Sequence, residues 1–249
     1  MSGHSKWSTI KRKKGALDAK RGKIFTKLIK EISIAAKEGG ADPAGNPRLR
    51  LSIQNAKGVN MPKDNIERAI KKGAGADAED YIQTTYEGYA PHGIPVFVEC
   101  TTDNINRTVQ NVRFAFNKYG GSLGTNGSLE FIFDRKGIFH LTKPEDFDED
   151  NFTLEIIDAG AEDFEFLDNE ITIICALEDF GNIQRKLEEL NIEAEVAELQ
   201  RIPKNRIELE DDAFQKVMKL IEVLEDDDDV QKVYHNIEIR ENQIELLNN

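Results

Sequence analysis

Hydrophobic positions in the first third of the chain recur at helical spacing in three short segments. Apolar residues repeat three and four positions apart in 24–40, 47–57 and 63–72, a pattern typical of helices that bury one stripe. Glycines follow each segment, and Asn46-Pro47 supplies an N-cap and a first-turn proline for the second. Because each helix buries only a stripe, we expect the three to pack on one another as a small bundle.

Past Gly75 the spacing changes to alternating strands and helices. The pattern predicts strands at Thr84–Tyr89 and Pro95–Thr101, a helix capped by Asp103 or Asn104 that ends before Gly120, and a strand at Leu129–Asp134. A self-contained cycle follows, with strand Ile138–Thr142, helix Asp150–Ala159, strands Phe164–Leu167 and Ile171–Ala176, helix Asp179–Leu190 and strand Ala194–Leu199. The order βαββαβ indicates a split-βαβ, ferredoxin-like unit.

The last segment is too short to form a domain alone. It predicts a strand at Arg206–Glu208, a helix at Asp212–Leu224 and a strand at Val230–Ile239, which would complete the set begun at Thr84. We therefore predict an α+β, multi-domain fold: an N-terminal three-helix bundle plus two α/β (ferredoxin-like, split-βαβ) domains, the third inserted in the second. The predicted boundaries are a basic N-terminal arm over 1–23, the bundle over 24–76, a discontinuous α/β domain over 77–135 and 203–240, the inserted domain over 136–202 and a tail over 241–249.

Composition excludes several classes of protein. The chain has 249 residues, 39% of them hydrophobic, and no apolar run long enough to cross a bilayer. Cys100 and Cys175 are far apart and form no CxxC pair, which argues against a disulfide scaffold, a cysteine zinc site or a thioredoxin-type centre. We therefore expect a cytoplasmic protein with no membrane partner.

Charge is distributed very unevenly along the chain. Residues 1–76 carry 18 Lys and Arg against 6 Asp and Glu, whereas 77–249 carry 15 against 40. The net charge of −13 therefore combines a strongly basic front with a strongly acidic remainder. This asymmetry predicts a basic element that binds a polyanion, carried by an acidic scaffold that suppresses indiscriminate binding.

The basic arm has the composition of a nucleic-acid contact. Too few of its residues are apolar for it to fold alone, and its single tryptophan lies among cations, which suits stacking on an unpaired base. The alternative is a solubilising tail with Trp7 packed against the body. The candidate contacts in the arm are Lys6, Trp7, Lys11, Arg12, Lys13, Lys14, Lys20, Arg21 and Lys23.

The second and third helices extend this positive charge onto a folded surface. Their outward candidates are Arg48, Arg50, Lys63, Arg68, Lys71 and Lys72, although a solvated helix face is the alternative for each. A helix-turn-helix that reads bases is disfavoured, because the third helix lacks a cluster of Asn, Gln and Arg suited to base edges. Lysines favour contact with the phosphate backbone.

Catalytic and metal-binding patterns are absent from the sequence. The four histidines are scattered without metal-ligand spacing, and the glycine-rich segments match neither the phosphate-loop nor the dinucleotide-binding spacing. Consecutive carboxylates in the run Glu225–Asp229 point in different directions, so we interpret the run as a solvated loop that repels phosphate. We expect no enzymatic activity.

Several blocks of the sequence, in order, resemble the YebC family, which also includes the mitochondrial translational activator of cytochrome c oxidase. The blocks are SGHSKWSTIKRKK, DAKRGKIFTKL, AAKEGGADPAGNPRLR, NMPKDNIERAIKKGAG, YEGYAPHGIPVFVEC, TDNINRTVQNVRFAF, GGSLGTNGS and LEDDDDVQKVYHN. The resemblance covers nearly the whole chain. It implies a three-lobed fold, no cofactor and no enzymatic activity, with nucleic-acid contacts in the arm and on the basic face of the bundle.

The resemblance leaves two functions open. Members of the family are described as DNA-binding transcriptional regulators or as ribosome-associated translation factors that ease synthesis of proline-rich stretches. We favour the translation factor, with ribosomal RNA as partner, because the sequence offers phosphate binding and stacking without an evident base-reading helix. The alternative is a DNA-binding transcriptional regulator. The roles of the loop Tyr86–Pro95 and of the acidic run stay open.

Overall fold

The computed structural model describes residues 18–76, 78–144, 147–167 and 169–246, with side chains from Gly22 onward. The helices are α1 (Asp18–Gly39), α2 (Pro47–Gly58), α3 (Lys63–Ala74), α4 (Ile105–Lys118), α5 (Glu149–Asp158), α6 (Phe180–Glu189), α7 (Asp211–Asp226) and α8 (Glu241–Leu246). The strands are β1 (Ile82–Ala90), β2 (Ile94–Thr102), β3 (Ser122–Leu123), β4 (Phe133–Thr142), β5 (Ala161–Leu167), β6 (Glu170–Ala176), β7 (Val196–Pro203), β8 (Ile207–Glu208), β9 (Val230–His235) and β10 (Ile237–Glu238). The predicted α+β, multi-domain class is confirmed. None of these described helices is long and apolar enough to span a membrane.

The described chain forms two compact units. The first unit contains residues up to 30 together with 78–134 and 202–246, and the second contains 31–76 together with 135–201. Helix α1 contributes to both. The second unit thus combines most of the predicted bundle with the predicted inserted domain, whereas the sequence pattern predicts two separate domains.

The helices of the second unit are held together by hydrogen bonds of Asn46 and by a close approach of two helix backbones. Asn46 is the N-cap of α2, as predicted: its Oδ1 accepts the Leu49 N–H at 3.0 Å. Its amide also donates to the carbonyl of Ala35 at 2.7 Å, which ties α2 to the end of α1. Gly73 of α3 lies directly against Ser33 of α1, where a Cβ would come within 2.2 Å of the Ser33 carbonyl oxygen. Glycine is therefore needed for the helices to approach this closely.

The sheet of the second unit has the strand order β5-β6-β4-β7. With α5 and α6 it gives the predicted βαββαβ order, and the ferredoxin-like unit is confirmed. Its core includes Phe139, Ile156, Ile173 and Ile183, all fully buried. Alternating apolar residues on the strands and the stripes of the two helices produce this core.

Helix α2 packs on the edge strand β7 of that sheet. The Asn55 side chain forms two hydrogen bonds of 2.9 Å with Ala197, one to its carbonyl and one from its N–H. This pairing satisfies backbone groups that an edge strand would otherwise leave open. Gly58 lies so close to Glu195 that a Cβ would come within 1.8 Å of the Glu195 carbonyl oxygen. These contacts explain why the helices and the sheet form one compact unit.

The first unit is built on an antiparallel sheet of order β3-β1-β2-β9. Strands β1 and β2 form a hairpin in which Ala90 lies opposite Ile94, and the turn at Pro91–Gly93 places His92 at φ 64°. Helices α4 and α7 supply Phe116, Phe214 and other side chains to the core on this sheet. The predicted N-cap of α4 is confirmed, since Asn104 Oδ1 accepts the Arg107 N–H at 3.0 Å.

Four predicted segments differ in the structure. Helix α1 begins at Asp18, inside the predicted arm, and the predicted tail contains α8, which is anchored where Gln243 donates to the Leu209 carbonyl at 2.8 Å. No separate strand covers Leu129–Asp134 in this described segment, because the carboxylate of buried Glu87 accepts the N–H groups of Gly127 and Leu129 and bends the chain before β4. The last predicted strand is divided into β9 and β10.

Candidate nucleic-acid interface

The predicted basic arm lies largely outside the described residues. These undescribed candidates are Lys6, Trp7, Lys11, Arg12, Lys13 and Lys14. Lys20 and Arg21 belong to the first turn of α1. Contact of these residues with nucleic acid stays a prediction.

Lys23 has a structural role that the sequence did not suggest. Its Nζ forms an ion pair of 2.9 Å with the Asp226 carboxylate and donates to the Asp226 carbonyl at 3.2 Å. Lys27 and Lys30, one and two turns further along α1, donate to the carbonyls of Glu225 at 2.9 Å and Asp228 at 2.7 Å. The last carbonyls of a helix have no partner within it, and lysines are favoured beside its negative end. Lys23 and Lys27 therefore cap the C-terminus of α7, and Lys30 binds the segment that follows it.

The acidic run Glu225–Asp229 is thus not the solvated loop that the sequence suggested. Its carbonyls accept hydrogen bonds from α1, and Asp229 is only 3% exposed. Spacing along the chain could not reveal this, because the lysines lie some 200 residues away.

Asp229 is the centre of a buried polar cluster in the first unit. Its carboxylate accepts hydrogen bonds from Arg107 at 2.7 Å, Thr108 at 3.0 Å and Lys30 at 3.1 Å. Burial opposes ionisation of Asp229, but these donors outweigh it and hold the pKa of the carboxyl below its ordinary value. The hydrogen bonds to Asp229 and Asp103 raise the pKa of Arg107. The cluster fixes α1, α4 and the start of β9 with respect to one another.

The predicted cations of α2 are exposed, and each makes one contact near the surface. Arg48 forms an ion pair with Glu38 at the end of α1, and Arg50 donates to the Pro43 carbonyl at 3.4 Å. Exposed pairs of this kind contribute little free energy, so a ligand phosphate can replace the carboxylate. The contacts of α2 with β7 set the position of both arginines.

Three predicted cations share one face of α3. Arg68, Lys71 and Lys72 are exposed, the two lysines three and four positions after the arginine, opposite the buried Ile66 and Ala69. Arg68 donates to Asn65 Oδ1 at 3.0 Å, so the oxygen of the one side-chain amide in α3 is engaged. The fourth predicted cation, Lys63, lies 3.4 Å from Glu67. The face offers positive charge without a clear means of distinguishing bases.

The described residues offer little for catalysis. Burial raises the pKa of the Cys100 thiol to about 12 and that of Cys175 to about 11, which suppresses thiolate chemistry. Within the described part of the chain, no three His, Cys, Asp or Glu side chains are placed to hold a metal ion.

Comparison with known proteins gives matches along almost the whole chain. Residues 5–76 match the sequence model described as the TACO1/YebC protein N-terminal domain, and 81–237 match that of the TACO1/YebC second and third domain. A protein of Amoebophilus asiaticus named "Probable transcriptional regulatory protein" is 58% identical over 95% of this chain and 98% of its own length. A protein of the same name from Geotalea uraniireducens is 51% identical over 99% of this chain and 100% of its own.

A solved structure supports the same relationship. The crystal structure of a conserved hypothetical protein from Aquifex aeolicus superimposes with a TM-score of 0.78 at 42% identity, covering 90% of this chain and 93% of that one.

Proposed function

Because the chain belongs to the TACO1/YebC family, we propose that it regulates gene expression in the cytoplasm by binding nucleic acid, without catalysing a reaction. The observation that carries the proposal is the charge distribution, 18 cations against 6 carboxylates in residues 1–76 and 15 against 40 in the rest. A polyanion is attracted to the first segment and repelled by the second. Binding is thereby concentrated on residues 1–76.

The proposed contacts are divided between the arm and the bundle. The arm supplies Lys6, Lys11, Arg12, Lys13, Lys14, Lys20 and Arg21, with Trp7 as a stacking side chain. The bundle adds the exposed Arg48, Arg50, Lys63, Arg68, Lys71 and Lys72. Lys23 is left out of this set because its Nζ binds both the carboxylate and the main-chain carbonyl of Asp226, whereas Arg48 pairs with a carboxylate alone.

Transcriptional regulation through duplex DNA is the first candidate. The names of the Amoebophilus and Geotalea relatives favour it. The exposed cations of α3 suit phosphate contacts, which position a protein on DNA without specifying sequence.

Translation control on ribosomal RNA is the second candidate. The observation in its favour is the arm itself, whose glycines and cations suit the irregular crevices of folded RNA. The described α3 has a single side-chain amide, Asn65, whose oxygen accepts from Arg68, and this scarcity of base-reading groups is also compatible with an RNA target recognised by shape.

Quantitative binding to labelled duplex DNA and to folded ribosomal RNA fragments tests the proposal. Charge reversal of Lys11, Arg12, Lys13 and Lys14 to glutamate should abolish binding to the preferred target. The matched control reverses Arg135, Arg185 and Lys204, exposed cations of the acidic part, and should bind as the wild type does. With about six phosphate contacts, log affinity should fall against log salt with a slope of about −5 on duplex DNA or about −4 on single strands.

Two results would contradict the proposal: a flat salt response, or equal binding by the two charge-reversed proteins. Sedimentation of cell extract through a gradient then separates the two candidates. Co-migration with ribosomes indicates the translation role, and recovery with chromosomal DNA indicates the transcription role.

A further inference from the structure

Helix α4 is an exception within the acidic part of the chain. Its sequence INRTVQNVRFAFNK contains Arg107, Arg113 and Lys118 and no carboxylate, although residues 77–249 hold 40 Asp and Glu. The other helices described beyond residue 77 each contain at least two acidic residues. The positive charge of α4 was not among the features predicted to bind nucleic acid.

The outward face of α4 presents an aromatic ring among these cations. Phe116 is fully buried in the core, whereas Phe114, two positions earlier, lies on the opposite side of the helix and is 64% exposed. The Nζ of Lys118 lies 5.6 Å from the centroid of the Phe114 ring. Arg113, Gln110 and Asn117 are exposed on the same helix. An exposed ring with a cation beside it and amides around it suits stacking on an unpaired base next to a phosphate.

Two exposed polar residues of α4 are already engaged and are excluded from this surface. Arg107 is bound to Asp229 and Asp103, and Asn111 donates to Asp227 Oδ2 at 2.9 Å. The surface is therefore centred on Phe114, toward the C-terminal half of α4.

The neighbouring edge of α7 extends the surface. Phe114, Val223 and Leu224 line a shallow depression between the two helices, whose lining also includes Asn111 and Asp227, hydrogen-bonded to each other at 2.9 Å. Val223 is 38% exposed, and Lys216 and Lys219 are exposed two turns and one turn before it on α7. Cations from two helices thus accompany a small apolar depression.

We propose that the outward face of α4, with this edge of α7, binds an unpaired stretch of nucleic acid. Phe114 stacks on a base, and Arg113, Lys118, Lys216 and Lys219 neutralise phosphates. The inference rests on the proposed function and adds a second contact to it, within the first unit. An apolar protein partner fits less well, because the patch offers only two exposed apolar side chains, far less than a stable protein interface needs.

The test uses the full-length protein and labelled single strands of oligo(U) RNA and oligo(dT) DNA at low salt. Phe114→Leu keeps an apolar side chain and removes the ring, so affinity should fall about fivefold or more, whereas Phe114→Trp should retain or exceed wild-type affinity. Arg113→Gln and Lys118→Gln should each reduce the salt slope by about 0.7. The matched control is Phe131→Leu, because Phe131 is 69% exposed between Glu130 and Asp134 and should not contribute. Comparison of the affinities for oligo(U) and oligo(dT) shows whether the surface prefers RNA or DNA.

Several results would overturn the inference. One is unchanged affinity of Phe114→Leu for both strands while charge reversal of the arm abolishes binding, which leaves the proposed function intact. Another is equal loss in Phe131→Leu. If the wild type binds neither strand, duplex DNA nor ribosomal RNA, the proposed function fails as well.

Discussion

The Oδ2 atom of Asp229 accepts hydrogen bonds from Nη2 of Arg107 at 2.7 Å and from Nε at 3.0 Å, so that a carboxylate and a guanidinium 122 residues apart meet side by side. Asp229 is almost completely buried, whereas the Arg107 side chain is 46% exposed. Lys30 approaches the same carboxylate from α1 with a side chain only 11% exposed. Removing the carboxylate would therefore leave mainly Lys30 without its counter-charge.

Asp229→Ala should destabilise the first unit strongly. Breaking a buried ion pair by removing one partner costs about 3–5 kcal/mol, because the other charge stays buried and uncompensated. We expect a loss near 3 kcal/mol in the free energy of unfolding measured with urea, since Arg107 keeps access to water and to Asp103. The control Asp228→Asn changes an exposed side chain and leaves the carbonyl that Lys30 uses, so its effect should stay within about 0.5 kcal/mol. Equal effects of the two substitutions would contradict a central role for Asp229.

The contribution of Asp229 should depend on pH in one direction. Its pKa in the folded protein lies below the ordinary value of 3.8, so the unfolded chain binds a proton more readily. The stabilisation is therefore present above about pH 3.8 and is lost as the pH falls through the lower folded pKa. The difference in unfolding free energy between the wild type and Asp229→Asn should be constant near neutral pH and shrink below about pH 4. If the difference in unfolding free energy instead grew on acidification, the pKa of Asp229 in the folded protein would not be below its ordinary value.

Gly58→Ala should loosen α2 from the edge strand β7. A Cβ at this position would meet the Glu195 carbonyl, a backbone group that cannot move aside cheaply. Overpacking of this kind costs about 1–3 kcal/mol, and hydrogen exchange at the Ala197 N–H should accelerate as its bond to Asn55 is strained. Gly181→Ala is the matched control, since no atom lies within 4 Å of its Cβ position, and it should be neutral or stabilising by about 0.4–1 kcal/mol. Identical behaviour of the two variants would argue against close packing at Gly58.

Lys23→Gln distinguishes a structural lysine from a nucleic-acid contact. Its ion pair with Asp226 is partly exposed, so we expect a loss of at most about 1 kcal/mol and no change in the salt dependence of binding. Lys71→Gln, on the exposed face of α3, should instead reduce the salt slope by about 0.7–0.9 without changing stability. A reduced salt slope in Lys23→Gln would return this residue to the proposed interface.

Local signals explain which parts of the fold could be predicted. The caps at Asn46 and Asn104 involve residues within three positions of each other, and the order of strands and helices in 133–203 follows directly from their spacing. Leu129–Asp134 was predicted wrongly as a separate strand, because the bend there depends on Glu87, some 40 residues earlier. The outward position of Phe114 agrees with helical spacing, but its exposure depends on what α7 leaves uncovered.

The sequence by itself determined the helical and ferredoxin-like elements and the separation of positive from negative charge, because spacing, capping and composition act over a few residues or along the whole chain. Only the tertiary structure decided what several cations contact: Lys23 and Lys27 meet the end of α7 and Lys30 the segment after it, whereas Arg68 donates to Asn65 within its own helix. The physical reason is that the partner groups of a lysine come from whatever segment folds beside it. For α1 that segment lies about 200 residues away, so the residues around each lysine do not indicate which group it binds.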